Sequence, residues 1–342
     1  MPNPILSLRH KIALAIRDVH GTRAELADLR QQVADLPANT NNLLGQVTDL
    51  RLELSELRRE LSDVRGGVSE VSAQTDARTA DIRTVIDALQ VLCDHEPENR
   101  RRLYALRESA EYEPAFTERE PLVSVLIPTY TSFGSLRDRA IPSVLAQTYE
   151  NWELVVIGDA APPETARIIK SFGDGRISYQ NLSLRGPYPE DRQKAWLVSG
   201  VPPFNAGMRA ARGRWIAPFS DDDTLNPQAL ARNIEEAQKH RTEFNYSHIR
   251  LLGNDDLDVV LNEFPPHLWE IALQGSMFHA GLRFFEQELA DAVFGAPNDW
   301  SMVRRMMRAG VRIGFIREIL ATYYPSYRNP DVDAPFRKGA HD

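Results

Sequence analysis

The chain contains a single cysteine, Cys93. One thiol cannot form an intrachain disulfide, so the fold must be held by its apolar core, and a reducing compartment is expected. No apolar run approaches the ~20 residues that a membrane-spanning helix requires. Residues Met1 to Ala15 are partly apolar, but Arg9, His10 and Lys11 interrupt them, and they do not read as a secretory signal. Basic charge is in deficit as well: Lys and Arg number 40 against 48 Asp and Glu, a net charge of −8. A nucleic-acid partner, which calls for a basic face, is not expected. These absences imply a soluble, cytoplasmic protein, with peripheral membrane association left open. What is present is 342 residues at 42% hydrophobic content, enough for one large domain and an extension.

The stretch Arg214 to Pro227 organises the rest. Apolar residues of strand type (Trp215, Ile216, Phe219) lead into Asp221, Asp222 and Asp223. Adjacent carboxylates repel, and a cation relieves the repulsion. Oxygen ligands suit hard cations such as Mn2+ or Mg2+. Asn226-Pro227 then reads as the start of a helix, with Asn as the N-cap and Pro in the first helical position. The acids thus sit beyond the carboxyl end of a strand, where open α/β sheets bind their ligands. A solvated acidic turn is the plainer interpretation of such a triplet.

From Leu26 to Leu92 apolar residues recur every seventh position. One seam holds Leu26, Val33, Val47, Leu54, Leu61, Val68, Ile82 and Leu89, and the other holds Leu29, Leu36, Leu43, Leu50, Leu57, Val64, Val71, Val85 and Leu92. A repeat sustained over so many heptads predicts a coiled coil, roughly 100 Å long if continuous. Glu25 with Arg30, Glu53 with Arg58 and Glu60 with Arg65 have the spacing that joins parallel, in-register helices, so a homo-oligomer is expected. Pro37, followed by Ala38 to Asn42, is expected to interrupt the helix, and Gly66-Gly67 to weaken it. A hairpin folding back at Pro37 is the alternative. The segment division is a coiled coil over 1–95, a charged linker over 96–120, a globular domain over 121–325 and a tail over 326–342.

In the globular part, Leu122 to Ile127 and Trp152 to Ile157 are nearly continuous apolar runs, as buried parallel strands are. A helical stretch is expected over about Ser135 to Gln147, another after Pro162-Pro163, and a third over Phe204 to Arg212, stopped by Gly213. Arg176 to Gln180 reads as a short strand, and Leu182 to Pro203 as a mobile loop. Strands alternating with helices predict an α/β sheet covered on both faces.

Several pieces resemble one family. Val123-Ser-Val-Leu-Ile-Pro-Thr-Tyr130, Ser143-Val144-Leu145 with Gln147-Thr148-Tyr149, Trp152-Glu153-Leu154, and Asn205 to Gly213 leading to Ser220–Asp223 are similar to the inverting family 2 glycosyltransferases of GT-A fold. So is Asn298-Asp299-Trp300, followed by Arg304-Arg305 and Ala309-Gly310. The resemblance covers about Pro121 to Pro325 and implies a Rossmann-like mixed sheet flanked by helices. It implies a nucleotide-sugar donor, a hydroxyl-bearing acceptor (glycan, lipid-linked or protein) and a bacterial polysaccharide or glycoconjugate pathway.

By that resemblance, Pro128, Thr129 and Tyr130 line the nucleotide pocket, Tyr130 stacks on the base and Asp159 accepts from a base N–H. Asp222 holds the metal, Asp223 supports it and Asp221 points to the ribose. Asp299 is the catalytic base, and Arg304 and Arg305 answer phosphate charge. Taken alone, Tyr130 is an ordinary half-buried aromatic, Asp159 and Asp299 are caps, and the two arginines are solvated. The chain departs from the family at Gly158, Phe204 and Ser220, and by the lack of a His in Ala321–Tyr324. His279 reads as a packed histidine. Two rival functions stay in view. One is a coiled-coil assembly protein with a non-catalytic nucleotide-binding domain. The other is a nucleotidyltransferase, which needs a glycine- and lysine-rich phosphate loop that Thr131-Ser132-Phe133-Gly134 does not provide.

Overall fold

The computed structural model describes residues 4–252 and 259–324. The expected tail over 326–342 and the side chains of the seam residues Leu36, Leu43 and Leu92 lie outside the described residues. The chain divides into two compact units, Met1–Thr84 and Val85–Asp342.

Among the described residues the first unit is helix. Helix α1 (Pro4–Cys93) runs 90 residues and contains Pro37 in its interior. The expected interruption at Pro37 does not occur, and Gly66-Gly67 is helical too. A proline removes one backbone donor and crowds one carbonyl. Here the ring is exposed, and the helix continues through it and through Asn39-Thr40-Asn41-Asn42, which are weak helix formers themselves. The seam residues Leu54, Leu57 and Leu61 are 51%, 63% and 64% exposed, so in a single chain the apolar stripe faces solvent. No helix among the described residues is long and apolar enough to cross a membrane.

The second unit begins at Val85 within the last turns of α1 and continues with α2 (Glu96–Arg107) and α3 (Pro114–Thr117). These residues, expected to be a linker, are packed into the unit: Leu103, Tyr112, Ala115 and Phe116 are buried. Asp94, buried itself, receives Arg304 Nη2 at 2.8 Å and also pairs with Arg308. The linker expectation rested on the many charges here. Most of those charges are exposed, several pairing within α2, while Arg107, Glu113 and Glu118 pair with Glu243, Arg241 and Arg214 of the unit.

Strand β1 (Val123–Thr129) is followed by α4 (Phe133–Ser135), a π-helical stretch (Leu136–Ala140) and α5 (Ile141–Leu145). Then come β2 (Trp152–Gly158), α6 (Pro163–Ser171), β3 (Ile177–Asn181), α7 (Arg192–Leu197), α8 (Val201–Ala210) and β4 (Trp215–Pro218). The remainder is β5 (Thr224–Leu225), α9 (Ala229–His240), β6 (Phe244–Leu251), β7 (Val259–Leu261), β8 (Met277–His279), α10 (Asn298–Ala309) and β9 (Ile313–Tyr323). Helix α9 begins two residues beyond the expected start. Asn226 Oδ1 accepts from Gln228 N–H at 2.9 Å, forming a turn ahead of the helix instead of capping it.

The strands form one mixed sheet in the order β3-β2-β1-β4-β8-β6-β9-β5, with β7 beside β6. The half containing β3, β2, β1 and β4 is parallel, and β8 pairs antiparallel with β4 and β6. Successive residues of a strand face opposite sides, and two cores result. Val123, Val125 and Ile127 face the core shared with α5 and α9. Leu126 faces the other, with Phe204 and Met208 of α8 and Met302 and Met306 of α10. Gly207 is required where α8 crosses β1, because a Cβ there would lie 1.9 Å from Leu126 Cδ1.

Candidate active site

A cavity of about 480 Å³ lies beyond the carboxyl ends of β1, β2 and β4. The end of β1 supplies Pro128, Thr129 and Tyr130, the turn after β2 supplies Asp159, the turn after β4 supplies Ser220, Asp221 and Asp222, and the start of α10 supplies Asp299. Their convergence follows from register. Thr129 lies opposite Gly158, and Phe219 N–H donates to Leu126 O at 2.9 Å, so all three turns emerge at one edge.

Asp221 is held from β1: Thr129 Oγ1 donates to its Oδ2 at 2.6 Å. Burial, and after it the charge of Asp222, push the Asp221 carboxyl up to about 7, against hydrogen bonds from Thr129, Ser132 and the Tyr130 N–H. Asp222 is half-buried and accepts from Ser220 Oγ at 2.5 Å. Ser220 thus fills the departure from the family pattern by orienting its neighbour.

Asp223 corrects the expectation. It is fully buried and is not among the cavity-lining residues. Its carboxylate accepts from the Tyr324 N–H at 2.9 Å and from Gln274 Nε2 at 3.0 Å, tying the acidic turn to the end of β9. One further step along the backbone has turned it from the cavity into the core.

Among the described residues no group of three or more Asp, Glu, His or Cys side chains is placed to cage a metal. Mg2+-type ions are commonly held by one or two carboxylates and completed by substrate phosphates. The half-exposed Asp222, beside an Asp221 whose ionisation its charge opposes, fits a cation of that kind.

At the other corner, Tyr130 carries the Arg185 guanidinium over its ring, 4.2 Å from the centroid. Asp159 is buried and already engaged: Gly186 N–H donates at 2.9 Å and Tyr188 OH at 2.6 Å. Arg185, Gly186 and Tyr188 lie in a stretch the sequence marked only as a loop, and no motif there pointed to the site. Gly158 is glycine because there is no room for more. A Cβ would lie 2.3 Å from Asn181 Oδ1, the atom that accepts from Ala161 N–H at 2.8 Å.

Asp299 occupies the first turn of α10, half-buried at the cavity wall. Burial pushes its carboxyl up to about 6, against hydrogen bonds from its own N–H and that of Trp300. A carboxylate that titrates near neutrality is suited to taking up a proton. Arg304 and Arg305, on the same helix, do not reach the cavity. Both are buried: Arg304 pairs with Asp94, and Arg305 pairs with Glu288 and donates to Glu286 O at 2.6 Å. They lock the helix in place. His279 is packed, as expected, among Tyr112, Phe116 and Trp215. Gly281 N–H donates to its Nδ1 at 2.9 Å, which leaves Nε2 to donate to Tyr112 O at 3.2 Å, and burial lowers its pKa.

The architecture is an open α/β sheet whose cavity lies where a parallel half-sheet ends, the usual position of a ligand in such folds. Residues 124–188 and 202–307, half of the chain, match the family described as "Glycosyl transferase family 2". The chain belongs to that family, and its mixed sheet flanked by helices is of the GT-A type. It is 33% identical over 148 residues to the succinoglycan biosynthesis protein ExoO of Rhizobium meliloti (strain 1021), covering 43% of this chain and 36% of that protein. It is 29% identical over 136 residues to WfgD of Escherichia coli, "UDP-Glc:alpha-D-GlcNAc-diphosphoundecaprenol beta-1,3-glucosyltransferase", covering 40% and 49%. These matches span less than half of each relative's length. Among solved structures, S. aureus TarS 1-349 in complex with UDP-GlcNAc superposes with a TM-score of 0.47 at 15% identity, covering 60% of this chain and 58% of that one.

Proposed function

We propose that the protein moves a sugar from a nucleotide-sugar donor to an acceptor hydroxyl with inversion, in the synthesis of a bacterial polysaccharide or glycoconjugate. The observation that carries the reading is Asp299. Its carboxyl, raised to about 6 by burial, faces the same cavity as the Asp221–Asp222 pair. In this reading the Asp299 carboxylate takes the proton of the acceptor hydroxyl. The acceptor oxygen bonds to the anomeric carbon as the bond from that carbon to the diphosphate oxygen breaks, and the nucleoside diphosphate leaves with the bonding electrons. One displacement inverts the anomeric centre, so no second carboxylate nucleophile is required.

Tyr130 and Asp159 would hold the base, with Pro128 and Thr129 along the pocket wall. Asp221 would face the ribose. A divalent cation at Asp222, when bound, would neutralise the diphosphate leaving group. The names of ExoO and WfgD support a role in surface-glycan assembly. The exposed seam of α1 supports association with further copies of this chain. The reading is tested by screening a panel of UDP-, GDP- and dTDP-sugars for nucleotide release. Release from at least one donor is expected, and silence across the panel contradicts it.

A further inference from the structure

The family match skips residues 189–201. This stretch, expected to be a mobile loop, contains α7 and has a small core of its own. Val198 and Val201 pack with Ala292, against which Tyr188 and Leu289 rest. Asp191 caps α7 by accepting from Lys194 N–H at 2.8 Å. The stretch is therefore built, and it places Trp196 on the cavity wall. Trp269, in the segment before β8, lines the same cavity. The two indole rings are parallel within 8°, with centroids 6.3 Å apart.

Two details argue that the pair is more than filler. Trp269 has φ +70°, a region that a bulky side chain seldom occupies. Such backbone persists where the surroundings over-determine it, which is common at binding sites. The second is position. Ser199 O accepts from Asn298 Nδ2 at 3.2 Å, so the Trp196 stretch is tied to the start of α10, next to Asp299.

We propose that Trp196 and Trp269 form the acceptor subsite, an aromatic platform that takes a pyranose ring of a saccharide acceptor. The proposal rests on the glycosyl-transfer reading above. The two indoles stack on one another, so a sugar ring would lie with its C–H face on the outer indole face of the pair, and that contact removes apolar surface from water. The ring hydroxyls then project past the platform edge, where Gln274 and Asn298 line the cavity. The donor base belongs to the Tyr130–Asp159 corner. Trp269 comes from the segment before β8, which contributes nothing to that corner, and Trp196 follows the stretch that carries Arg185 and Tyr188.

The test is an array of oligosaccharides ending in glucose, galactose, mannose or N-acetylglucosamine, probed with the full chain and followed by titration of the glycans that bind. At least one glycan is expected to bind. Trp196→Ala and Trp269→Ala should each weaken it about tenfold, and Trp196→Phe and Trp269→Phe should recover most of the loss. Binding to no glycan overturns the proposal. So does wild-type affinity in the alanine variants, or a loss that phenylalanine does not recover while melting falls, which marks a packing role. Nucleotide release by the wild type judges the parent reading separately. Glycan binding without release keeps the platform and sinks glycosyl transfer. Release without glycan binding does the reverse.

Discussion

Arg107 reaches 136 positions along the chain to Glu243, where its Nε and Nη2 each donate to a carboxylate oxygen at 2.8 Å. Tyr112 OH at 2.6 Å and Arg312 N–H at 2.8 Å complete the coordination of a side chain with no solvent exposure. The arrangement fastens α2 to the start of β6, inside the sheet. Burial by itself raises the Glu243 carboxyl, but these donors, led by Arg107, hold it below its ordinary value.

Arg107→Ala leaves Glu243 buried and short of its main partner. Breaking a buried pair on one side costs about 3–5 kcal/mol, so urea unfolding near neutral pH should show a loss of that order. The depressed carboxyl also sets the sign with pH. Its contribution is fully present above the unfolded value of about 4.3 and is lost as pH falls through the lower folded value. The gap between variant and wild type should therefore close in acid. A variant as stable as wild type at neutral pH contradicts the clamp.

Asp222→Ala tests the cation. It should remove metal-dependent nucleotide binding by a few kcal/mol at most, the order of a lost charged contact. Chelation should abolish turnover of the wild type, and Mn2+ or Mg2+ should restore it. Full turnover in chelator contradicts the assignment.

Tyr188→Phe tests the base pocket. Tyr188 OH occupies Asp159 at 2.6 Å, and an incoming base N–H must compete for the same oxygen. Removing the hydroxyl leaves that acceptor free, at a net hydrogen-bond value of about 1 kcal/mol. Nucleotide affinity should rise about fivefold by titration calorimetry. Weaker binding would show that Tyr188 serves the nucleotide and does not compete with it.

The exposed heptad stripe of α1 makes a prediction about assembly. The full chain should sediment as an oligomer at micromolar concentration, and Leu54→Asp with Leu57→Asp and Leu61→Asp should render it monomeric. A monomeric wild type contradicts association through the seam.

Which parts of this were legible in the sequence follows from their range. The ends of β1, β2 and β4 could be read because buried parallel strands are continuous apolar runs and their functional residues come at the next turn. That pattern points to Asp221 and Asp222, whereas Thr129 and Asp159 are reached through the family resemblance. The direction of Asp223 could not be read, since three adjacent identical residues carry no sign of which one turns inward. Arg304 and Arg305 looked like surface charge because their partners Asp94 and Glu288 are distant in sequence or in an irregular turn. Trp196 and Trp269 obey no local period, and only the packing of α7 brings them together. At Pro37 the helix runs through a strong local breaker and the weak helix formers Asn39 to Asn42, and no local signal in the sequence marks that.

The measurement that bears most directly on the mechanism is transfer by Asp299→Asn across pH. Asparagine keeps the shape and an acceptor oxygen for the first-turn N–H groups, but it cannot take a proton. General-base catalysis contributes typically ~10²–10⁴ in rate. The variant should lose transfer by about that factor while its nucleotide affinity and melting temperature stay at wild-type values. The wild-type rate should rise with pH through about 6, as the Asp299 carboxyl ionises. The variant should lack that limb. Near-normal transfer by Asp299→Asn with the limb intact would place the base on another residue and contradict the account.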